Sequence, residues 1–214
     1  MWYKKEKWFS SRLDHIIPGP HSPFCVMDII ILSYGKGDLK ETTQNCIDSL
    51  IESDPLVNFN VVVVESYDEL DGYQYENTID TFPPPEITTI YPKEEFGYNK
   101  FLNIGLKHCK GDFVAYCNND LIFHKEWASN IMAEMLKNNL LSACPKEPAL
   151  HPDHNEGIRY GYTIRNFVDR SYGYGEMMGF CIVNQYKKLV KLDKEFKKWD
   201  ERFDFSFADV DYAR

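Results

Sequence analysis

The tripeptide Asn118-Asn119-Asp120 follows directly on an apolar run, Asp112 to Cys117 (DFVAYC), and its residue types are those that hold a hard divalent cation. Magnesium and manganese prefer oxygen donors, commonly one or two carboxylates, and fill the remaining positions with water and substrate phosphate oxygens. One carboxylate beside two amides suits a weakly held ion that arrives together with a diphosphate. The same residues are ordinary turn formers, because Asn and Asp side chains bond their own backbone and tolerate left-handed conformations. The tripeptide alone therefore leaves both readings open. A second concentration of acids closes the chain in KWDERFDFSFADVDYAR, where Asp209 and Asp211 stand two residues apart. If that segment is helical, such a pair points in roughly opposite directions, and only one of the two faces a given cleft.

These groups need elements to carry them. Met27 to Ser33 (MDIIILS) and Asn60 to Ser66 (NVVVVES) are continuous apolar runs, the pattern of strands covered on both faces. Between them Asp38 and Glu41 have capping-box spacing, and Leu39, Thr43, Cys46, Leu50 and Ile51 recur at helical intervals. A β–α–β opening with room for a parallel crossover follows. Tyr67 to Pro85 reads as a turn-rich loop and Thr88 to Tyr91 as a short strand. Asn99 is expected to cap a helix with Leu102, Gly105, Leu106 and Cys109 on its apolar face, and Gly111 to end it. DFVAYC is a further strand, and Trp127, Ile131, Met132, Met135 and Leu136 form the stripe of a following helix. From Ala143 to Gly175 the pattern loosens into a long loop or an irregular antiparallel segment. Gly179 to Val183 (GFCIV) reads as a strand before a short basic helix. The whole is an open α/β sheet, and in such sheets ligands bind beyond the carboxyl ends of the strands. That rule puts Ser33-Tyr34, Glu65-Ser66 and Asn118-Asn119-Asp120 on one rim.

Bulk properties narrow the partners. With 214 residues, 43% hydrophobic and 15% aromatic, the chain builds a real core in one domain. No apolar run approaches the roughly 20 residues of a bilayer span, and the basic, aromatic N-terminus lacks the apolar segment of a secretory signal. It reads as an extended arm on the domain or as a segment lying on a membrane surface. A formal charge of −9 argues against nucleic acid as the main partner, so an anionic phosphate ligand would need a local cation. The six cysteines contain no C-x-x-C pair and several sit in apolar runs, which reads as reduced, buried thiols in a cytoplasmic compartment.

The segment Gly97 to Asp120, GYNKFLNIGLKHCKGDFVAYCNND, resembles the core of family-2 glycosyltransferases of the GT-A type: a helix with an early Asn, a Gly, then an apolar strand ending in D-x-D or N-x-D. Asn99, Asn103, Gly105, Gly111 and Asp120 fall in step with it. IIILSY is similar to the family's first strand, VVVVES to its second, with Glu65 where Asp is usual, and WDERFDFSFADVDYAR to its acceptor-side motif. The resemblance spans roughly Asp28 to Arg214. It implies a GT-A (Rossmann-like) open twisted mixed sheet, mostly parallel, flanked by helices, with a smaller irregular acceptor-side region. The expected division is an arm over residues 1–26, a nucleotide-sugar-binding half over 27–122 and an acceptor-side half over 123–214 of one domain.

By that resemblance the chain transfers a sugar, with inversion, from a nucleotide diphosphate sugar to a hydroxyl of a glycan acceptor. Uridine is the expected base, and glucose or rhamnose the expected sugar. Ser33 and Tyr34 would flank base and ribose, and Glu65 would hold the base or ribose hydroxyls. Lys100 and Asn103 would lie near the diphosphate or sugar. Asp120 would bind Mn2+ or Mg2+, Asn118 would touch the ribose or, through water, the metal, and Asn119 would belong with the donor-binding residues. Gly179 and Phe180 would border the acceptor pocket, and Asp209 would take the acceptor proton, with Asp211 its rival. An alcohol attacking an anomeric carbon must lose its proton as the bond forms, and a carboxylate within hydrogen-bond reach takes it. A bound metal neutralises the departing diphosphate, so that group needs no acid. Two departures stand out: Ala208-Asp209 replaces the usual Glu-Asp, and N-x-D leaves one carboxylate at the metal motif. Relatives continue past the equivalent of Arg214, so further domains C-terminal to this chain are expected. The alternative reading is a non-catalytic nucleotide-sugar or glycan-binding module. His151 and His154 read as a surface loop, an acceptor contact or an incomplete metal pair, Glu176 as an ion pair or a site residue, and Trp199 as a sugar platform or a core residue. The lysines from Lys187 to Lys198 read as a solvated helix face.

Overall fold

The computed structural model describes residues 25–81, 84–145, 158–160, 180–192 and 199–201. Seven strands appear in chain order: β1 Cys25–Ser33, β2 Val57–Glu65, β3 Glu86–Ile90, β4 Phe113–Cys117, β5 Ser142–Pro145, β6 Ile158–Tyr160 and β7 Cys181–Asn184. The helices are α1 Leu39–Ser53, α2 Tyr98–Leu106, α3 Trp127–Lys137 and α4 Tyr186–Leu192.

The strands form one sheet in the order β3-β2-β1-β4-β7-β5-β6. β1 pairs in parallel with β2 and β4, and β2 with β3. The ladders β4–β7, β7–β5 and β5–β6 are antiparallel. β1 to β5 therefore run one way and β6 and β7 the other, which gives the expected mixed, mostly parallel open sheet. The chain leaves β1 toward β2 and β3, then returns to place β4 on the other side of β1. That reversal is a topological switch point, and in such sheets ligands bind beyond the carboxyl ends of the strands that flank it, here β1 and β4. The loosened stretch after Ala143 contributes the β5–β6 ladder at the sheet edge.

The central strands are apolar on both faces because both faces are covered. Met27, Ile29 and Ile31 of β1 join Val61 and Val63 under α1 and α3. Ile30 joins Val62, Val64, Val114 and Tyr116 under α2 and Trp199. Each fully buried Ile or Val contributes about 1.5–3 kcal/mol relative to exposure, and the three consecutive isoleucines Ile29 to Ile31 are all inaccessible to solvent. Trp199 thus takes the core role, edge-on to Tyr116 with ring centroids 5.2 Å apart.

Two local expectations change. Gly97 occupies the N-cap of α2, and Asn99 lies inside its first turn, where its side chain reaches a distant segment. The helix ends at Leu106, and Gly111 instead forms the turn into β4. A Cβ at Gly111 would sit 3.0 Å from Asp28 Oδ2. That buried carboxylate accepts the backbone N–H groups of Lys110 and Gly111, and its Oδ1 accepts Asn60 Nδ2 at 2.7 Å. Asp38 holds the N-cap of α1 without a side-chain capping bond.

Among the described residues no helix is long and apolar enough to cross a membrane. Cys46, Cys109, Cys117, Cys144 and Cys181 are free thiols, all but Cys109 buried. Burial pushes the Cys46 thiol up to about 12.

Candidate functional site

Strand register brings three side chains to one level of the rim. Ser33 lies opposite Glu65 across β1 and β2, and Ile31 lies opposite Cys117 across β1 and β4. Two residues on from that pair, Asn119 follows in line with Ser33. Because side chains alternate along a strand, Ser33 and Glu65 lie on the α1 side of the sheet, and so does Cys117, whose direction Asn119 continues. Thr43 of α1 and Tyr75, from the loop after β2, close over them.

A connected set of hydrogen bonds results. Asn119 Nδ2 donates to Thr43 Oγ1 at 3.0 Å, and Thr43 Oγ1 is 2.9 Å from Ser33 Oγ. Ser33 Oγ is 3.0 Å from the Tyr75 hydroxyl, which donates to Glu65 Oε2 at 2.9 Å. Glu65 Oε1 accepts the backbone N–H of Gly35 at 2.9 Å and of Tyr67 at 2.8 Å. Glu65 is 1% exposed, so its carboxylate is occupied with the loops that leave β1 and β2. Burial, with the Glu65 charge beside it, pushes the Tyr75 phenol well above its ordinary value and keeps it a proton donor. Gly35 lies directly on this group. A Cβ there would overlap Leu70 Cδ1 and come within 2.9 Å of the Tyr75 hydroxyl and 3.0 Å of Glu65 Oε2. Outside it, Tyr34 is 46% exposed and edge-on to Tyr67, with ring centroids 5.3 Å apart.

Asp120 behaves differently from Glu65. It is exposed, in the turn after β4, and among the described residues no hydrogen bond or ion pair engages its carboxylate. The Asn118 backbone is pinned by its N–H to Phe180 O at 2.9 Å, while its side-chain amide makes no bond among the described residues. Phe180 is half-buried against the α1-side core. An exposed carboxylate flanked by amide oxygens is an all-oxygen donor set of the kind Mg2+ or Mn2+ takes, with room for water and phosphate. No group of three or more His, Cys, Asp or Glu side chains suited to a metal occurs among the described residues.

Lys100 and Asn103 are engaged elsewhere. Lys100 Nζ lies 2.7 Å from Glu94 Oε2, a contact that lowers the Glu94 pKa. Asn103 is 3% exposed. Its Oδ1 accepts Trp199 N–H at 2.8 Å, and its Nδ2 donates to Trp199 O and Glu201 Oε1, both at 2.9 Å. Asn99 Nδ2 donates to Asp200 O at 2.6 Å. The two asparagines of α2 therefore hold the start of the WDER segment. Gly179, Asp209 and Asp211 lie outside the described residues, as do His151, His154 and Glu176. Thr43 and Tyr75 were not expected at the site. Thr43 appeared only as a helix-face residue, and Tyr75 lies in a stretch without periodicity, where no sequence signal marks it.

A family model described as glycosyl transferase family 2 matches residues 28–182. No curated protein matches the sequence. Among solved structures, the fold is similar to a mannosyltransferase, PcManGT from Pyrobaculum calidifontis in complex with GDP-Man and Mn2+, at TM-score 0.53 and 16% identity, covering 87% of this chain and 52% of that one. It is similar also to S. aureus TarS 1-349 in complex with UDP, at TM-score 0.56 and 17% identity, covering 87% and 53%, and to the same protein with UDP-GlcNAc, at TM-score 0.54 and 16% identity. The chain spans about half the length of these structures, and at this identity the likeness is one of fold.

Proposed function

Since this chain belongs to glycosyl transferase family 2, we propose that it moves a sugar from a nucleotide diphosphate sugar to a hydroxyl of a glycan acceptor, with inversion at the anomeric carbon. One observation carries the reading: β1, β2 and β4 end on a common rim where a buried polar group ties Ser33, Glu65 and Asn119, while the Asp120 carboxylate is exposed and, among the described residues, unengaged. The GDP-Man, UDP-GlcNAc and UDP held by the similar structures support a nucleotide-sugar donor. Uridine is the base we favour, with glucose or rhamnose as the sugar.

In this reading Tyr34 flanks the base, and Glu65 shapes the base pocket by fixing the Gly35 and Tyr67 backbone. Asp120, with the Asn118 amide, would hold Mn2+ or Mg2+. When bound, such an ion supplies positive charge to the leaving diphosphate. Asp209, or Asp211 in its place, accepts the acceptor hydroxyl proton as the oxygen attacks the anomeric carbon and the bond to the diphosphate breaks. Gly179 and Phe180 border the acceptor. Asn103 and Asn99 serve by holding the segment that leads to Asp209. Residues 27–122 form the donor half and 123–214 the acceptor half, and we place the protein in the cytoplasm.

The test is release of nucleoside diphosphate from a panel of donor sugars, with and without Mn2+, in wild type and Asp209→Asn. Metal-supported release that Asp209→Asn abolishes is the expected result. No release with any donor, and identical behaviour of the variant, would overturn the enzymatic reading. Donor binding by calorimetry without turnover would instead identify a binding module.

A further inference from the structure

We propose that Asn119, Thr43, Ser33, Tyr75 and Glu65 form a one-way hydrogen-bond relay that fixes the donor side of the rim, with Tyr75 as its positioning residue. The proposal rests on the donor-site reading above. Its direction follows from proton counting. An ionised carboxylate only accepts, and each hydroxyl has a single proton to give. The proton of Tyr75 goes to Glu65 Oε2 at 2.9 Å. Tyr75 then accepts at 3.0 Å, so Ser33 must donate to it. The proton of Ser33 is thereby used, and Thr43 must donate across the 2.9 Å contact in preference to its longer 3.2 Å approach to Leu39 O. Thr43 in turn accepts, and only the nitrogen of the Asn119 amide can donate to it, at 3.0 Å.

The buried charge of Glu65 thus decides which end of the Asn119 amide faces inward. Nitrogen faces Thr43, and the carbonyl oxygen is left for the rim, next to the unengaged Asp120. Aligned bonds of this kind polarise one another inside a protein, where screening is weak. Tyr75 is the link without a substitute: it is 2% exposed, and it comes from a coil segment rather than from the strands it joins. Removing its hydroxyl leaves Ser33 and Thr43 free to reverse, and Asn119 free to turn its nitrogen outward.

The experiment is titration calorimetry with UDP and with GDP, each with and without MnCl2, on wild type, Tyr75→Phe, Thr43→Val and the double variant. Tyr91→Phe serves as control, since its hydroxyl bonds Tyr73 O outside the relay. In wild type, Mn2+ is expected to raise affinity for one nucleotide. Tyr75→Phe and Thr43→Val should each lower that metal-supported affinity about tenfold. The double variant should lose less than the product, because both break one chain. Tyr91→Phe should lower the melting temperature and leave affinity unchanged. Wild-type binding that Tyr75→Phe and Thr43→Val both retain overturns the relay alone. Absence of binding by wild type overturns the donor-site reading and the relay with it. Should Tyr75→Phe not fold, the nearly isosteric Thr43→Val decides by itself.

Discussion

Replacing Gly105 by alanine sets two well-known effects against each other. An alanine in a helix interior is favoured over glycine by about 0.8–1.0 kcal/mol. At Gly105, however, a Cβ would lie 2.7 Å from Ile30 Cγ2 and 3.0 Å from Val64 Cγ2. Carbon atoms pack best at about 3.5–4.0 Å, so the new methyl is too close to Ile30 by about 0.8 Å or more. Both neighbours are buried, β-branched and stiff at χ1, and they sit in adjacent central strands, so neither rotates away cheaply. Overpacking of this sort costs about 1–3 kcal/mol, and subtracting the propensity gain leaves a net loss of about 0–2 kcal/mol. For a domain of this size that lowers Tm by up to about 8 °C. Thermal and urea unfolding followed by circular dichroism would measure it, with an unchanged urea slope showing that the fold is kept. Ile30→Ala removes the nearest clashing atom and opens space, at a cost of about 2–5 kcal/mol. In that background Gly105→Ala should be neutral or stabilising. A rise in Tm for the single variant, or equal effects in both backgrounds, would refute the close-approach argument for this glycine.

Asp120→Asn should leave thermal stability unchanged, since the carboxylate is exposed and bonds to nothing among the described residues, and should abolish the gain in nucleotide affinity on adding Mn2+ in calorimetry. Asn103→Ala strands the Trp199 backbone groups it now holds, lowering stability by about 1–3 kcal/mol. Turnover with acceptor should fall while nucleotide affinity holds, and weakened nucleotide binding would instead mark Asn103 as a direct donor contact. Asp28→Asn presents one NH2 to backbone N–H donors or to Asn60, and urea denaturation should show a loss of about 1–3 kcal/mol. Stability should also decline above pH 9. Burial raises the Cys46 thiol from 9.0 to about 12 and raises Cys109 and Cys117 in the same sense, so the unfolded chain loses these protons first. The Cys46 contribution is complete below pH 9 and is lost as pH climbs toward 12, at about 1.4 kcal/mol per pH unit. A Cys46→Ala variant with the same alkaline slope in urea midpoints would refute it.

What the sequence determined by itself was the set of elements. β1, β2 and β4 are legible because strands buried on both faces read as unbroken apolar runs, and α1 and α3 because one buried stripe imposes helical spacing. The end of β4 was legible as a candidate site because polar residues after such a strand stand at the carboxyl edge of a parallel sheet. Tertiary structure alone decided who partners whom. Asn99 resembles a cap in sequence, yet its amide goes to Asp200, 101 residues away. Glu65 ends a buried strand and Asp120 follows one by three residues, so the two look alike in sequence. One is closed over by Gly35, Tyr67 and Tyr75, and the other is left open. Element formation answers to neighbours within a few residues, which composition and spacing record. The partners of a polar side chain depend on strand register and on where a loop crosses the rim, and those are settled only when distant parts of the chain pack together.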